Sequence, residues 1–266
     1  SRLSVSYKKA PPRPDDVAVI VGNGNYRKQS RDIPNIAPAY ADAESYRRFA
    51  TEALGVREEN IIFVRDATLA QMVRVFGGKD DHSGQLFNYV RRGRSQVYVF
   101  YAGHGAPAGK DASAYLVPTD ADGALIGLTA YSLQTLYRNL AKLPAKSVLV
   151  VIDACFSGLS QAGPVVPRAS GILVAAKTPR IPPNLTVVTA GAADQIASWE
   201  KDGSNGLFTK YFLMGMSGEA DKLPHGDGDG KVGWNELASY LGDTLTYWAR
   251  RYYGREQKAQ IVVGGG

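Results

Sequence analysis

One residue of the 266 can act as a thiol nucleophile, Cys155, and three can act as imidazole bases, His82, His104 and His225. A thiolate attacks a carbonyl carbon, whereas a thiol with its ordinary pKa of about 8.5 needs a positioned base and an electropositive setting. His104 stands between Gly103 and Gly105, which let a substrate backbone approach closely. The Gly105 N–H is then available to a developing oxyanion. Cys155 follows the apolar run Ser147 to Ile152 and precedes Phe156-Ser157-Gly158, so it sits where a buried strand turns outward. Backbone N–H groups at such a turn, that of Cys155 included, lower a thiol pKa and hold an oxyanion. His82 lies in a polar stretch and reads as solvated. A lone cysteine excludes an internal disulfide and a Cys-rich zinc site.

These residues need a frame that brings them together, and the chain supplies one. Short runs apolar on both faces (Val17 to Val21, Ile61 to Val64, Gln96 to Tyr101, Ser147 to Ile152, Leu185 to Thr189 and Gln260 to Val263) alternate with helical patterns. The helical patterns are Ala39 to Leu54, Thr68 to Phe76, Gly84 to Val90, Ser132 to Leu143, Leu207 to Met216 and Trp234 to Tyr253. Tyr115 to Val117 reads as a small edge hairpin. Strands of this kind separated by helices predict an α/β fold, with a mostly parallel sheet of about six strands covered on both faces. Ligands bind beyond the carboxyl ends of such strands, which places His104 and Cys155 on one functional edge. Residues 1–16, with Pro11-Pro12-Arg13-Pro14, read as an extended tail, and 17–266 as one domain. The stretch 156–184 shows no periodicity, and a loop of that length is expected to be functional or cleavable.

Tyr101-Ala102-Gly103-His104-Gly105 and Asp153-Ala154-Cys155-Phe156-Ser157-Gly158 together resemble the catalytic blocks of the caspase-like cysteine peptidases. The interval of 51 residues fits the spacing of about 50 in caspases. The resemblance extends over about residues 17 to 263. Val17 to Tyr26 is similar to the first strand and its loop, and Asp42-Ala43 to the pair opening the first helix. Ser198-Trp199, followed by Gly206-Leu207-Phe208-Thr209, is similar to the substrate-groove loop and the helix after it. The style is closer to bacterial metacaspase-like members, or orthocaspases, than to animal caspases. The resemblance implies a three-layer caspase-like sandwich and peptide hydrolysis by a dyad of Cys155 and His104, with the Gly105 and Cys155 N–H groups as oxyanion hole. A catalytically silent caspase-like scaffold acting through protein interactions is the alternative.

Animal caspases cut after Asp by means of pocket arginines, and the matching positions here carry none. Ile36 stands near the place of the first-helix arginine, Asp153 replaces the Gln two residues before the nucleophile, and Glu200 follows Ser198-Trp199 where an arginine would stand. Acidic groups repel Asp and attract Arg or Lys, so cleavage after a basic residue is expected. Asp42 and Asp153 are the pocket acids, and Ser198, Trp199 and Glu200 the groove. Any self-cleavage is expected to prefer the later loop, at Arg168, Lys177 or Arg180, over Lys79 or Arg91 to Arg94, and a flexible loop that is never cut is the alternative.

His225-Gly-Asp227-Gly-Asp229-Gly230-Lys-Val232 with Glu236 partly fits a calcium loop, with Asp227, Asp229 and Glu236 as ligands and His225 in the weak first place. The chemistry itself needs no cofactor, and the resemblance to metacaspases makes Ca²⁺ the ion to test. Gly22-Asn23-Gly24-Asn25 lacks the third glycine of a dinucleotide loop. The 31 Lys and Arg against 25 Asp and Glu give a net charge of +6. These charges are scattered, and the basic, aromatic Trp248 to Tyr253 has helical spacing, so no nucleic-acid partner is expected. No apolar run spans a membrane and no signal peptide is visible. Ser1 in place of a start methionine suggests a trimmed or processed chain. The expectation is a soluble monomer, cytoplasmic or periplasmic in a bacterium, acting on proteins or peptides.

Overall fold

The computed structural model describes residues 3–166 and 175–264. In chain order its strands are β1 (Val17–Gly22), β2 (Ile61–Arg65), β3 (Gln96–Ala102), β4 (Gly105–Ala108), β5 (Ser113–Leu116), β6 (Tyr131–Ser132), β7 (Ser147–Asp153), β8 (Leu159–Ser160), β9 (Gly163–Pro164), β10 (Leu185–Thr189) and β11 (Gln260–Val263). The α-helices are α1 (Ala39–Glu52), α2 (Leu69–Phe76), α3 (Gln85–Tyr89), α4 (Ile126–Thr129), α5 (Leu133–Ala141), α6 (Leu207–Met214), α7 (Trp234–Leu241) and α8 (Tyr247–Tyr253).

Six strands form the central sheet in the order β11-β10-β7-β3-β1-β2. All neighbours are parallel except the antiparallel pair β10 and β11. The period of two along each strand divides the core. Ala18, Ile20 and Phe100 face a layer built on Tyr46, Phe49, Phe208 and Phe212 of α1 and α6. Val17, Val19, Val21, Val97 and Val99 face Met72, Phe76, Leu86, Leu133 and Tyr137 of α2, α3 and α5. Both layers are buried and rich in aromatic rings, which gives the three-layer sandwich expected from strands apolar on both faces. Thr68 caps α2 through a reciprocal pair with Gln71, as Ser/Thr-x-x-Gln patterns do. The predicted edge hairpin is part of a small antiparallel sheet, β4-β5-β6.

The helix read through Trp234 to Tyr253 is continuous, with α7 and α8 joined by a π-helical turn at Gly242–Thr246. Two expectations need correction. Residues 3–16 are extended but not a loose tail. Val5 is buried, Ala10 and Arg13 donate backbone hydrogen bonds to Glu52 and Gly55, and Asp15 pairs with Arg91 and Arg94. The loop after Cys155 is partly ordered, since β8 and β9 form a hairpin and Lys177 bridges to Ser113 of β5. Of the self-cleavage candidates, Arg168 lies outside the described residues, Lys177 is held by backbone hydrogen bonds to Ala112 and Ala114, and Arg180 is exposed. No helix among the described residues is long and apolar enough to cross a membrane.

Candidate active site

The register of the two central strands sets the site. Ala102 at the end of β3 pairs with Asp153 at the end of β7, so His104 and Cys155 each lie two residues beyond one paired position. Gly105 packs directly on the cysteine. A Cβ there would come within 2.5 Å of the Cys155 carbonyl oxygen and 2.8 Å of the Phe156 ring, so only glycine fits.

His104 is 2% exposed. Its Nε2 lies 2.7 Å from the Pro34 carbonyl oxygen. A carbonyl only accepts, so Nε2 carries the proton, and in the neutral ring Nδ1 is the free base. Tyr26, fully buried, holds the same residue from two sides. Its hydroxyl accepts from the His104 N–H at 2.9 Å and donates to the Val117 carbonyl at 3.0 Å, and its ring packs 4.6 Å from the imidazole. Burial pushes the imidazole pKa down to about 4. Cys155 is also buried, and its Sγ accepts from the Ala197 N–H. Burial pushes the thiol pKa up to about 12; the Ala197 N–H and Arg255 oppose this, and the charge of Asp153 adds to it. At neutral pH both groups are therefore uncharged.

Asp42 and Asp153 converge beside Gly206. A Cβ on Gly206 would lie 2.5 Å from Asp153 Oδ2 and 3.0 Å from Asp42 Oδ2. Asp42 accepts from Asn205 Nδ2 at 2.8 Å and from the Gly206 N–H at 3.0 Å. Asp153 Oδ2 accepts from Thr209 Oγ1 at 2.6 Å. Burial raises the pKa of Asp42 well above its usual range, and the charge of Asp153 raises it further. Burial likewise raises Asp153, to about 6, against the pull of Thr209. These carboxylates line one pocket with His104, Cys155, Ile36, Ser160 and Trp199. Its enclosed room is about 20 Å³, little more than one water occupies.

The groove loop is placed differently from the expectation. Ser198 is fully buried, its N–H bound to Gln257 and its Oγ to Arg255, so it serves the scaffold of the groove. Glu200, read as part of the groove, is turned onto Lys210 in an ion pair and does not line that pocket. Trp199 does line the pocket. Its N–H is taken by Gln161 Oε1 at 2.9 Å, and that oxygen also accepts from Arg255 at 2.8 Å. Gln161 Nε2 lies 3.1 Å from the Tyr253 hydroxyl. The loop after Cys155 is thus tied across the groove. The Gly22-Asn23-Gly24-Asn25 turn is filled by Asp66, whose Oδ1 accepts from Gly24 and Asn25 at 3.0 Å, so no phosphate cradle stands open.

Four participants escaped the sequence reading. Pro34 acts through a carbonyl that every residue type owns. Gln161 and Arg255 stand in stretches without periodicity or motif. Tyr26 belongs to the block read as a first-strand loop, and only the fold reveals that it supports His104. In the loop read for calcium, Asp227 and Asp229 approach Asp221 rather than Glu236. Glu236 accepts from the Asp227 and Gly233 N–H groups and caps α7.

A mostly parallel sheet between two helical layers, with a histidine and a cysteine past adjacent strand ends, defines a caspase-like fold of the cysteine-type peptidase class. The family model of the caspase domain matches residues 15–227, and the chain belongs to that family. The crystal structure of caspase-1 from Spodoptera frugiperda is similar, with a TM-score of 0.59 over 96% of this chain and 89% of that chain at 12% identity. No curated protein sequence matches.

Proposed function

We propose that the chain is a cysteine endopeptidase that cleaves after Arg or Lys, with Cys155 as nucleophile and His104 as base. The observation that carries the specificity is the convergence of Asp42 and Asp153 beside Gly206, in a pocket that opens onto Cys155. Two buried carboxylates with no ion-pair partner among the described residues attract a guanidinium or ammonium and repel an acidic side chain.

In the proposed reaction the Cys155 thiol gives its proton to His104 Nδ1 as Sγ bonds to the substrate carbonyl carbon. The Pro34 carbonyl holds the ring and stabilises the imidazolium through Nε2–H. The Gly105 and Cys155 N–H groups receive the oxyanion. His104 then protonates the leaving amine, the C–N bond breaks, and water activated by His104 hydrolyses the thioester.

A fluorogenic panel differing only in the residue before the scissile bond tests this. Arg- and Lys-ended peptides are turned over and Asp-ended ones are not, and Cys155→Ala abolishes turnover. Preference for Asp sinks the specificity. Turnover surviving Cys155→Ala sinks the nucleophile, and absence of all turnover together with failure of peptide electrophiles to label Cys155 favours the scaffold reading.

A further inference from the structure

The acidic loop between α6 and α7 carries a second site, none of whose residues lines the Cys155 pocket. One carboxylate oxygen from each of Asp221, Asp227 and Asp229 lies within 4.8 Å of the others. Asp221 is 8% exposed. Its Oδ2 accepts from the Gly230 N–H at 3.0 Å, while its Oδ1 is buried with no hydrogen-bond partner among the described residues. A carboxyl oxygen sealed from water without a donor is costly, and a cation is the partner that satisfies it beside two further carboxylates. We propose that Asp221, Asp227 and Asp229 form a binding site for a hard divalent cation, Ca²⁺.

The chain geometry explains why linear spacing pointed to His225 as the first ligand. Residues 222–225 form a detour that returns to its starting point: a Cβ on Gly226 would meet the Asp221 carbonyl oxygen at 2.4 Å. The Gly228 N–H closes the return by donating to that same carbonyl at 2.8 Å. Asp221 therefore takes the first place of the loop, ahead of Asp227 and Asp229. His225 is occupied elsewhere, with Nδ1 at 3.0 Å from Ser239 Oγ of α7. An all-carboxylate donor set selects Ca²⁺ over softer metals, which want nitrogen or sulfur. Asp227 and Asp229 are exposed, so the ion enters without opening the core.

The test uses the full chain, stripped with a chelator and titrated with CaCl₂ and, in parallel, MgCl₂ by calorimetry, with melting followed in the same buffers. The expected result is one equivalent of Ca²⁺ bound more tightly than Mg²⁺, with a melting temperature that rises with Ca²⁺. Asp221→Asn and Asp229→Asn each weaken binding by at least about tenfold. Asp229 is exposed, so its variant keeps the test decisive if the Asp221 variant fails to fold. No heat and no melting shift at about 10 mM Ca²⁺, a level ample for weak calcium modules, overturns the site. So do equal affinities for the two ions that persist in Asp229→Asn, which mark a diffuse acidic surface.

Discussion

Replacing Asp153 by Asn separates recognition from stability, because the same carboxylate is asked to serve one at the expense of the other. Its pKa is raised to about 6 by burial, from an ordinary value near 3.8. Below 3.8 folded and unfolded chains both hold the proton, and burial of the group costs nothing. Between 3.8 and about 6 the unfolded chain has released it and the folded chain retains it, so stability falls as pH rises. At 1.36 kcal/mol per tenfold, the full cost above that window is about 3 kcal/mol. Asn keeps an oxygen for the Thr209 hydroxyl and carries no charge. The variant is therefore more stable than the parent by up to about 3 kcal/mol at pH 7.5, shrinking to about 1 kcal/mol at pH 4.5. The pocket loses one charge-assisted hydrogen bond to a basic side chain, about 1.5–3 kcal/mol, so kcat/KM for Arg-ended peptides falls about 10- to 150-fold. Urea unfolding at the two pH values and the fluorogenic panel read both effects. A variant less stable than the parent at pH 7.5, or one that cleaves Arg-ended peptides undiminished, refutes the reasoning.

Alkylation of Cys155 by a small reagent such as iodoacetamide tests the uncharged resting pair. With the thiol near 12 and the imidazole near 4, the rate climbs about tenfold per pH unit from 6 to 9, and a plateau across that range would falsify the neutral pair. Tyr26→Phe leaves the buried His104 N–H without its acceptor and costs about 1–3 kcal/mol in urea unfolding, with kcat reduced more than KM rises; an unchanged kcat removes Tyr26 from the positioning of the base. Gln161→Ala frees the Trp199 N–H and cuts the ties to Arg255 and Tyr253. Turnover of small peptides rises several-fold while stability drops by about 1–2 kcal/mol, and a fall in turnover would show that the tie builds the groove instead of closing it.

What was legible in the sequence follows from how local the cause is. The strands could be read because each is apolar on both faces, and that pattern is written in four to seven consecutive residues. Cys155 and His104 could be read because each follows a strand end, and the parallel sheet aligns those ends. Asp42 and Asp153 were found through the family pattern, since 111 positions separate them and no spacing rule links a helix to a strand end. The pairing of Glu200 with Lys210, one turn into α6, could not be read, because a motif does not show which cation the fold brings beside it. The approach of Asp221 to Asp227 and Asp229 was not legible because a four-residue detour breaks the linear count while leaving the spatial one intact. Pro34 could not be read at all, because its contribution is a backbone oxygen aimed by the fold.

The acidic pocket and the uncharged catalytic pair act on one another. Asp153 is among the causes that hold the Cys155 thiol protonated, and its charge also raises the pKa of Asp42. A basic side chain entering beside Gly206 neutralises that field. It would let both carboxylates ionise, and it would offset the Asp153 charge that opposes the thiolate at the moment a carbonyl stands before Sγ. An acidic or apolar side chain does neither, even where it fits. On the proposed mechanism, recognition would reach Cys155 through electrostatics as well as through position, so part of the proposed preference for Arg or Lys would belong in kcat rather than in binding alone. The narrow pocket and the Gln161 tie would work in the same direction, keeping the thiol neutral and covered until a chain of the right charge enters the groove and changes the field at Cys155.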